Sequence, residues 1–210
     1  MSTPIHHAPA LVLGSTSRYR RELLQRLRVP FTCRAPDVDE TPLTDESPAD
    51  VSTRLALAKA RAVAALCRQE SSQDVVVIGS DQVADLGGVA LGKPGNHERA
   101  VAQLQAMRGQ SVVFHTSVAV TRPATGFEAS ATALVRVRFR DDFSDDEIQQ
   151  YLHLDQPYDC AGSAKVESLG IVLLDQVDSD DPTALVGLPL IATTRLLRAA
   201  QFPLFASIAS

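Results

Sequence analysis

The sequence has few cysteines, few aromatic residues and no long apolar segment, and each scarcity excludes a class of protein. It contains three cysteines, three tyrosines and no tryptophan among 210 residues. Cys33, Cys67 and Cys160 are far apart and form no CxxC pair, which argues against a disulfide framework and favours reduced thiols in the cytoplasm. No apolar run approaches the roughly 20 residues that cross a bilayer, so we expect no membrane contact.

The chain also lacks excess positive charge, and its first residues lack the pattern expected of a signal peptide. Its 25 acidic and 20 basic side chains give a net charge of −5, whereas binding to a nucleic-acid backbone needs a basic surface. We therefore expect no nucleic-acid polymer as partner, although a local cluster of Arg and Lys could still bind a small anion. Residues 1–9 lack both the basic and the apolar part of a signal peptide, and we interpret them, with His6 and His7, as a flexible tail.

What is present is the composition and patterning of an ordinary α/β domain. Hydrophobic residues make up 45% of the chain and charged residues 21%, which allows a full core. Apolar runs predict strands at residues 10–13, 31–34, 75–78, 111–121, 127–139 and 171–174. Caps and periodicity predict helices at residues 18–28, 47–68, 96–109, 144–154 and 189–200, and Gly87-Gly88 predicts a hairpin turn. The alternation predicts an α/β fold without separable domains.

A strand-to-helix junction carries the first candidate site. Gly14-Ser15-Thr16-Ser17 is followed by a basic helix with Arg20 and Arg21. The N–H groups of a first helical turn attract anions, and hydroxyls and guanidinium groups add donors for phosphate. Neither standard nucleotide-binding glycine motif is present. The alternative is a helix cap followed by a solvated basic face.

Two acidic segments are candidates for metal binding or proton transfer. Asp37-Val38-Asp39-Glu40 lies in a loop, and clustered carboxylates suit Mg²⁺ or Mn²⁺, which also bridge to substrate phosphates. Asp81 directly follows the predicted strand 75–78, where open α/β sheets usually place their sites. Such an aspartate can bind metal or take a proton from water. A solvated acidic loop and a turn-capping aspartate are the alternatives.

Two lysines are candidates for anion binding. Helical spacing places Lys59 about 160° from the polar line of Arg54, Arg61 and Arg68. Its own stripe carries Val51, Leu55, Ala62 and Leu66. A lysine on a core-facing stripe needs an anion, or it must extend its charge to water. Lys93 follows the predicted hairpin, and Glu167 later in the chain has either a structural or a functional interpretation.

In their order along the chain, these segments resemble the Maf family of nucleoside-triphosphate pyrophosphatases, also called septum-formation inhibitor proteins. The matching segments are LVLGSTSRYRRELL, APDVDETP, LALAKARAV, VIGSDQV, LGKP, CAGS and LVGLPL, which together span nearly the whole chain. The resemblance implies a mixed, elongated sheet with flanking helices and two lobes around a central cleft, similar to inosine-triphosphate pyrophosphatases. We accordingly expect a single domain over residues 10–203 and a tail over residues 204–210.

The resemblance also implies metal-dependent hydrolysis of a nucleoside triphosphate to a nucleoside monophosphate and pyrophosphate. Carried onto this sequence, the family's catalytic acidic residue falls on Asp81. The positions that handle phosphate and metal fall on Ser15, Arg20, Asp39, Lys59 and Lys93. We therefore expect catalysis by Asp81, Lys59 and Lys93, phosphate binding by Ser15 and Arg20, and Mg²⁺ or Mn²⁺ on Asp39 and Asp81.

Several segments resemble the branch of the family that hydrolyses 7-methyl-GTP, including Ser80-Asp81-Gln82-Val83 and residues 160–167. The specificity positions of that branch map to Tyr19, Gln82 and Glu167. N7-methylation gives guanine a positive charge, on which an aromatic ring such as Tyr19 can stack. A carboxylate such as Glu167 can accept hydrogen bonds from N1–H and the exocyclic amine, which uracil and thymine do not offer together.

Three other functions remain open from the sequence. One is a pyrophosphatase for dTTP, UTP or other modified nucleotides, and another is a phosphatase that releases terminal phosphate. The third is a non-catalytic nucleotide-binding regulator of cell division. Dimerisation is implied only by the family resemblance, because no interface signature is visible in the residues.

Overall fold

In a computed structural model that describes residues 8–205, the chain forms a seven-stranded mixed sheet flanked by helices. The strands are β1 (Ala10–Gly14), β2 (Thr32–Arg34), β3 (Val75–Leu86), β4 (Val89–Leu91), β5 (Ser111–Arg122), β6 (Phe127–Phe139) and β7 (Leu174–Ser179). The helices are α1 (Arg18–Gln25), α2 (Pro48–Glu70), α3 (His97–Met107), α4 (Asp145–Asp155) and α5 (Leu190–Ala199). The predicted α/β fold with a mixed sheet is confirmed.

Strand pairing in the sheet changes from parallel to antiparallel, and this change makes room for a cleft. Its strand order is β2-β1-β3-β5-β6-β7, with β4 paired to β3. Strand β1 pairs in parallel with β2 and β3, whereas β3, β5, β6 and β7 pair antiparallel. The pairing of β1 with β3 ends at Gly14 and Gly79, while β3 continues along β5 to Leu86. Residues of β3 just beyond Gly79 therefore lie past the carboxyl end of β1.

The two largest hydrophobic cores of the described residues pack against different parts of the long strands. One core joins α1 and α5 to the sheet through Leu13, Leu24, Ile78, Leu188 and Leu197. The other joins α3 and α4 to the sheet through Leu104, Phe114, Phe139, Ile148 and Leu152. The molecule therefore has the two lobes expected from the resemblance, and β3 and β5 contribute to both.

Most predicted element boundaries hold because local hydrogen bonds fix them. Ser47 accepts a bond from the Asp50 amide and begins α2. Both bonds of the capping box between Ser144 and Glu147 are present at the start of α4. Gly87-Gly88 forms the two-residue turn between β3 and β4, with both glycines at positive φ, as this type of hairpin requires.

One strand prediction was wrong, and another was correct but too short. The strand predicted at residues 171–174 is a 3-10 helix over Leu169–Leu173, and β7 begins only at Leu174. Gly170 packs there against the Lys165 backbone, where a Cβ would lie 2.6 Å from the Lys165 carbonyl oxygen. The strand predicted at 75–78 continues to Leu86, because polar residues facing a cleft interrupt the apolar pattern without interrupting the ladder.

The prediction that Lys59 lies on the buried stripe of α2 is confirmed, since only 4% of the residue is exposed. Leu66, assigned to the same stripe, is 38% exposed. The buried residues beyond Lys59 are instead Ala60, Val63, Ala64 and Cys67.

Residues 1–7 and 206–210, and with them His6, His7 and most of the predicted tails, lie outside the described residues. Leu204, which the prediction assigned to the C-terminal tail, packs against the core formed with α1 and α5. Over residues 8–205, none of the helices is both long and apolar enough to cross a membrane.

Candidate active site

The residues selected from the sequence line two adjoining chambers of the cleft. The lysine chamber has a volume of 460 Å³, and its polar lining includes Ser15, Arg20, Glu40, Lys59, Asp81 and Lys93. The tyrosine chamber has a volume of 390 Å³, and its lining includes Arg18, Tyr19, Phe114, Asp159, Cys160 and Glu167. Arg20, Gln82 and Lys93 line both chambers, so the two volumes share a charged wall.

An ammonium group held by two carboxylates forms the centre of the lysine chamber. Lys59 Nζ lies 2.7 Å from Asp81 Oδ1 and 2.7 Å from Glu40 Oε1. Helix α2 approaches β3 closely at Gly79, where a Cβ would clash with the Ala56 carbonyl and lie 2.5 Å from the Ala60 nitrogen. The missing side chain of this glycine therefore lets α2 bring its lysine to the strand that carries Asp81.

The two carboxylates of this chamber have opposite pKa shifts. Burial raises the pKa of Asp81 above its usual value, and the charges of Lys59 and Arg20 only partly offset this effect. Burial also tends to raise the pKa of Glu40, but the hydrogen bond and charge of Lys59, with help from Lys93, bring it below its usual value. Two carboxylates whose pKa values differ in this way can take different roles, one in proton transfer and the other in binding positive charge.

The acidic loop places Glu40, and not Asp39, in the chamber. Asp39 is exposed and lies outside the lining of both chambers. Its Oδ1 accepts a bond of 2.9 Å from the Thr41 amide, which makes it the capping residue of a local turn. The structure therefore does not bring Asp39 to Asp81, and the neighbouring Glu40 occupies the position that the sequence analysis gave to Asp39.

The loop between β1 and α1 brings hydroxyl and guanidinium groups to the same place. Ser15 is 5% exposed, and its Oγ accepts a bond of 3.1 Å from the Ser17 amide. Ser17 then caps α1 by accepting a bond from the Arg20 amide. Arg20 Nε donates to the Gly187 carbonyl at 2.9 Å, and burial lowers the pKa of Arg20. Burial disfavours the charged form of the Arg20 guanidinium group, and an anionic ligand beside it would stabilise that charge.

Gln82 supports a neighbouring turn as well as lining the chambers. Its Nε2 donates to the carbonyl oxygens of Ala184 and Leu185, each at 3.0 Å. Asp181 holds the same segment, because its Oδ2 accepts a bond of 2.8 Å from the Ile191 amide at the start of α5. Asp181 could not be selected from the sequence, because an aspartate in a polar loop gives no signal of this supporting role.

The tyrosine chamber already contains a cation stacked on its aromatic ring. Arg18 Nη2 donates to the Tyr19 hydroxyl at 2.7 Å, and the Arg18 Cζ lies 4.7 Å from the ring centroid. Burial raises the pKa of Tyr19 to about 12 and that of Cys160 to about 12, so both groups stay protonated at neutral pH. Burial also raises the pKa of Glu167 in the same chamber.

The structure thus brings eight of the nine predicted site residues to the cleft and leaves Asp39 outside. It adds Glu40, which the acidic segment contained, and two residues that the sequence did not single out, Arg18 and Asp159. The position of Arg18 next to Tyr19 in the sequence indicated a role in this chamber, but arginine at the start of a helix occurs for many other structural reasons.

Comparison with known proteins identifies the relatives of this chain. A 7-methyl-GTP pyrophosphatase from Polaromonas sp. (strain JS666 / ATCC BAA-500) is 64% identical over 196 residues, which cover 93% of this chain and 87% of the relative. A protein of the same name from Albidiferax ferrireducens is 60% identical, with 95% and 96% covered. A family model described as Maf-like protein matches residues 10–200. The chain therefore belongs to the Maf-like protein family.

Proposed function

We propose that this protein hydrolyses 7-methyl-GTP to 7-methyl-GMP and pyrophosphate, and so removes a modified nucleotide. The observation that carries the proposal is the shared wall of the two chambers. A chamber with Arg20, Lys59 and Lys93 suits a triphosphate, and the adjoining chamber with Tyr19 and Glu167 suits a purine. The relatives named 7-methyl-GTP pyrophosphatase support the same choice of substrate.

In this mechanism, Arg20 and Lys93 bind phosphate oxygens from the wall between the chambers. Asp81 accepts a proton from the water that attacks the α-phosphorus, and its raised pKa suits a general base. The bond from the α-phosphorus to the bridging oxygen breaks, and pyrophosphate leaves with the electron pair. Lys59 orients Asp81 through their bond of 2.7 Å and balances the charge that gathers on the phosphates.

A divalent cation fits the lysine chamber if the substrate completes its coordination. Glu40 and Asp81 both approach the same Lys59 ammonium, so their oxygen atoms can share one cation. Residues 8–205 contain no group of three or more His, Cys, Asp or Glu side chains arranged around a metal. Mg²⁺ is commonly held by one or two carboxylates together with substrate phosphates. Bound there, Mg²⁺ or Mn²⁺ would neutralise charge on the triphosphate.

Base selection is proposed to depend on the tyrosine chamber. Glu167 would accept hydrogen bonds from guanine N1–H and its exocyclic amine, and Tyr19 would stack on the ring. Gln82 would act on specificity by holding the Ala184–Val186 turn, since its amide nitrogen is bound to that turn. Glu167 is exposed in the free protein, and a bound base would cover it. A base that leaves the covered carboxylate without hydrogen bonds would bind less well, so Glu167 would disfavour uracil and thymine.

A substrate panel with a pyrophosphate readout tests the proposal. We expect the highest kcat/KM for 7-methyl-GTP among 7-methyl-GTP, GTP, UTP and dTTP, with pyrophosphate as product and loss of activity in EDTA that Mg²⁺ or Mn²⁺ restores. Glu167→Gln should narrow the preference for 7-methyl-GTP over UTP. Preference for UTP or dTTP would instead support a pyrophosphatase for those nucleotides. Release of free phosphate would indicate a phosphatase, and nucleotide binding without turnover would indicate a non-catalytic regulator.

We place the reaction in the cytoplasm, a proposal that the three free cysteines support. A homodimer stays a prediction from the family resemblance.

A further inference from the structure

We infer that Asp159 is a further specificity-determining residue, whose carboxylate balances the positive charge of the N7-methylated base beside Tyr19. The inference rests on the proposed function, because it concerns how the tyrosine chamber distinguishes 7-methyl-GTP from GTP. Glu167 cannot supply this distinction alone. Both nucleotides carry the N1–H and the exocyclic amine, so a carboxylate on that edge recognises guanine whether or not it is methylated. Methylation adds one methyl group and one positive charge, and it removes N7 as a hydrogen-bond acceptor.

Asp159 is placed to meet that charge. It lines the tyrosine chamber together with Tyr19 and Glu167, in the turn that leads to Ala161–Ser163. This turn is held by the bond of 3.1 Å from the Cys160 amide to the Pro157 carbonyl. Cys160 Sγ lies 3.9 Å from the Tyr19 hydroxyl and 3.5 Å from Asp159 Oδ1, so the tyrosine and the carboxylate flank one sulfur atom.

Neither neighbour of Asp159 supplies a competing negative charge. Burial keeps the Cys160 thiol protonated at neutral pH, because its pKa rises to about 12. The Tyr19 hydroxyl is neutral for the same reason, with a pKa of about 12. The negative charge beside Tyr19 and Cys160 is therefore that of the Asp159 carboxylate, while Glu167 provides the hydrogen-bonding edge.

The free protein already holds a cation at this position. The Arg18 guanidinium stacks on the Tyr19 ring, with 4.7 Å from Cζ to the centroid. Its pKa is raised mainly by the Tyr19 hydroxyl, and Asp159 adds to the effect. An aromatic face that holds a planar, delocalised cation, in a chamber that a carboxylate also lines, matches the chemistry of a methylated purine, which is also planar, delocalised and positively charged.

The experiment separates the charge of the base from the size of its methyl group. Steady-state hydrolysis is measured with 7-methyl-GTP, GTP and 7-methyl-7-deaza-GTP, an analogue that keeps the methyl group but carries no charge on the ring. We expect the wild-type protein to prefer 7-methyl-GTP to the uncharged analogue. Asp159→Asn should reduce this preference about fivefold, as loss of one charge pair in an exposed site predicts, and should change kcat/KM for GTP little.

Two variants serve as controls, and the melting temperature of each is measured. Asp159→Glu keeps the charge and should keep the preference. Asp146→Asn removes an exposed carboxylate from the first turn of α4, outside both chambers, and should behave as the wild type. If Asp159→Asn keeps the full preference for the charged nucleotide, the inference is wrong while the proposed function stands. If the wild-type protein prefers UTP or dTTP, the proposed function and this inference fall together.

Discussion

A buried lysine is stable when its charge has a partner, and the two partners of Lys59 differ in freedom. The Asp81 side chain is 10% exposed and is fixed in β3, whereas the Glu40 side chain is 58% exposed and extends from a loop. Glu40 can therefore leave Lys59 and turn towards a cation that enters with the phosphates, but Asp81 cannot. This asymmetry leaves Asp81 oriented by Lys59 throughout the reaction and makes Glu40 the adjustable carboxylate.

Removal of the Asp81 carboxylate provides the sharpest test at the residue scale. Asp81→Asn keeps the shape of the side chain but cannot take a proton from water, so we expect kcat to fall by roughly 10²–10⁴-fold. KM should change less, because Arg20 and Lys93 are intact. The measurement is pyrophosphate release under saturating 7-methyl-GTP, with a thermal melt to show that the variant is folded.

Asp85→Asn is the matched control for this variant. It removes a carboxylate from the same strand, at a position outside the lining of both chambers, and should keep the wild-type rate. Near-wild-type turnover by Asp81→Asn would show that another group activates the water.

The site residues differ in how far the sequence could identify them. Lys59 could be selected because a lysine on the buried stripe of a helix breaks the apolar pattern and so needs an anion. The choice between Asp39 and Glu40 could not be made, since neighbouring loop residues point in different directions according to backbone angles that composition does not fix. Asp159 gave no signal, because an exposed aspartate in a turn is ordinary.

At the scale of elements, the contact between α2 and β3 decides whether the lysine chamber forms. Gly79 is the point of closest approach, where the helix backbone occupies the space of a side chain. In the sequence this glycine is only one residue of the VIGSDQV segment, because the need for a missing Cβ becomes visible only when the helix is packed on the sheet. Helix α2 itself could be predicted nearly to the residue from Ser47-Pro48 and its apolar period.

Gly79→Ala should push α2 away from β3 and thereby lower both the stability and the activity of the protein. The new Cβ meets backbone atoms of Ala56 and Ala60 that cannot rotate away, and overpacking of this kind typically costs 1–3 kcal/mol. In a chain of this size we expect the melting temperature to fall by roughly 3–10 °C. Turnover at a temperature where the variant is folded should also fall, because Lys59 moves away from Asp81.

The comparison for this prediction is Gly92→Ala, where a Cβ has no atom within 4 Å. Its melting temperature should match that of the wild type. A Gly79→Ala variant with unchanged melting temperature would show that α2 can shift without cost.

At the scale of the whole molecule, the order of β1 to β6 explains why one fold can hold both chambers. The parallel part of the sheet ends at Gly14 and Gly79, which exposes the middle of β3 to the cleft. The sequence predicted the alternation of strands and helices but not this transition, because the continuation of β3 depends on its long-range pairing with β5. The net charge of −5 is likewise uninformative about the cleft, where basic and acidic groups are brought together locally.

The shared strands also predict how the molecule unfolds. Strands β3 and β5, each of 12 residues, contribute side chains to both hydrophobic cores, so neither lobe can lose its sheet without disrupting the other. We therefore expect a single calorimetric transition.

In Asp81→Asn, which should bind without rapid turnover, 7-methyl-GTP at roughly 100 times its Kd should stabilise the fold by about 2.7 kcal/mol. That energy corresponds to a rise of roughly 5–10 °C in the melting temperature. Two transitions, with only one shifted by the nucleotide, would show instead that the lobes unfold independently and that one of them binds the ligand alone.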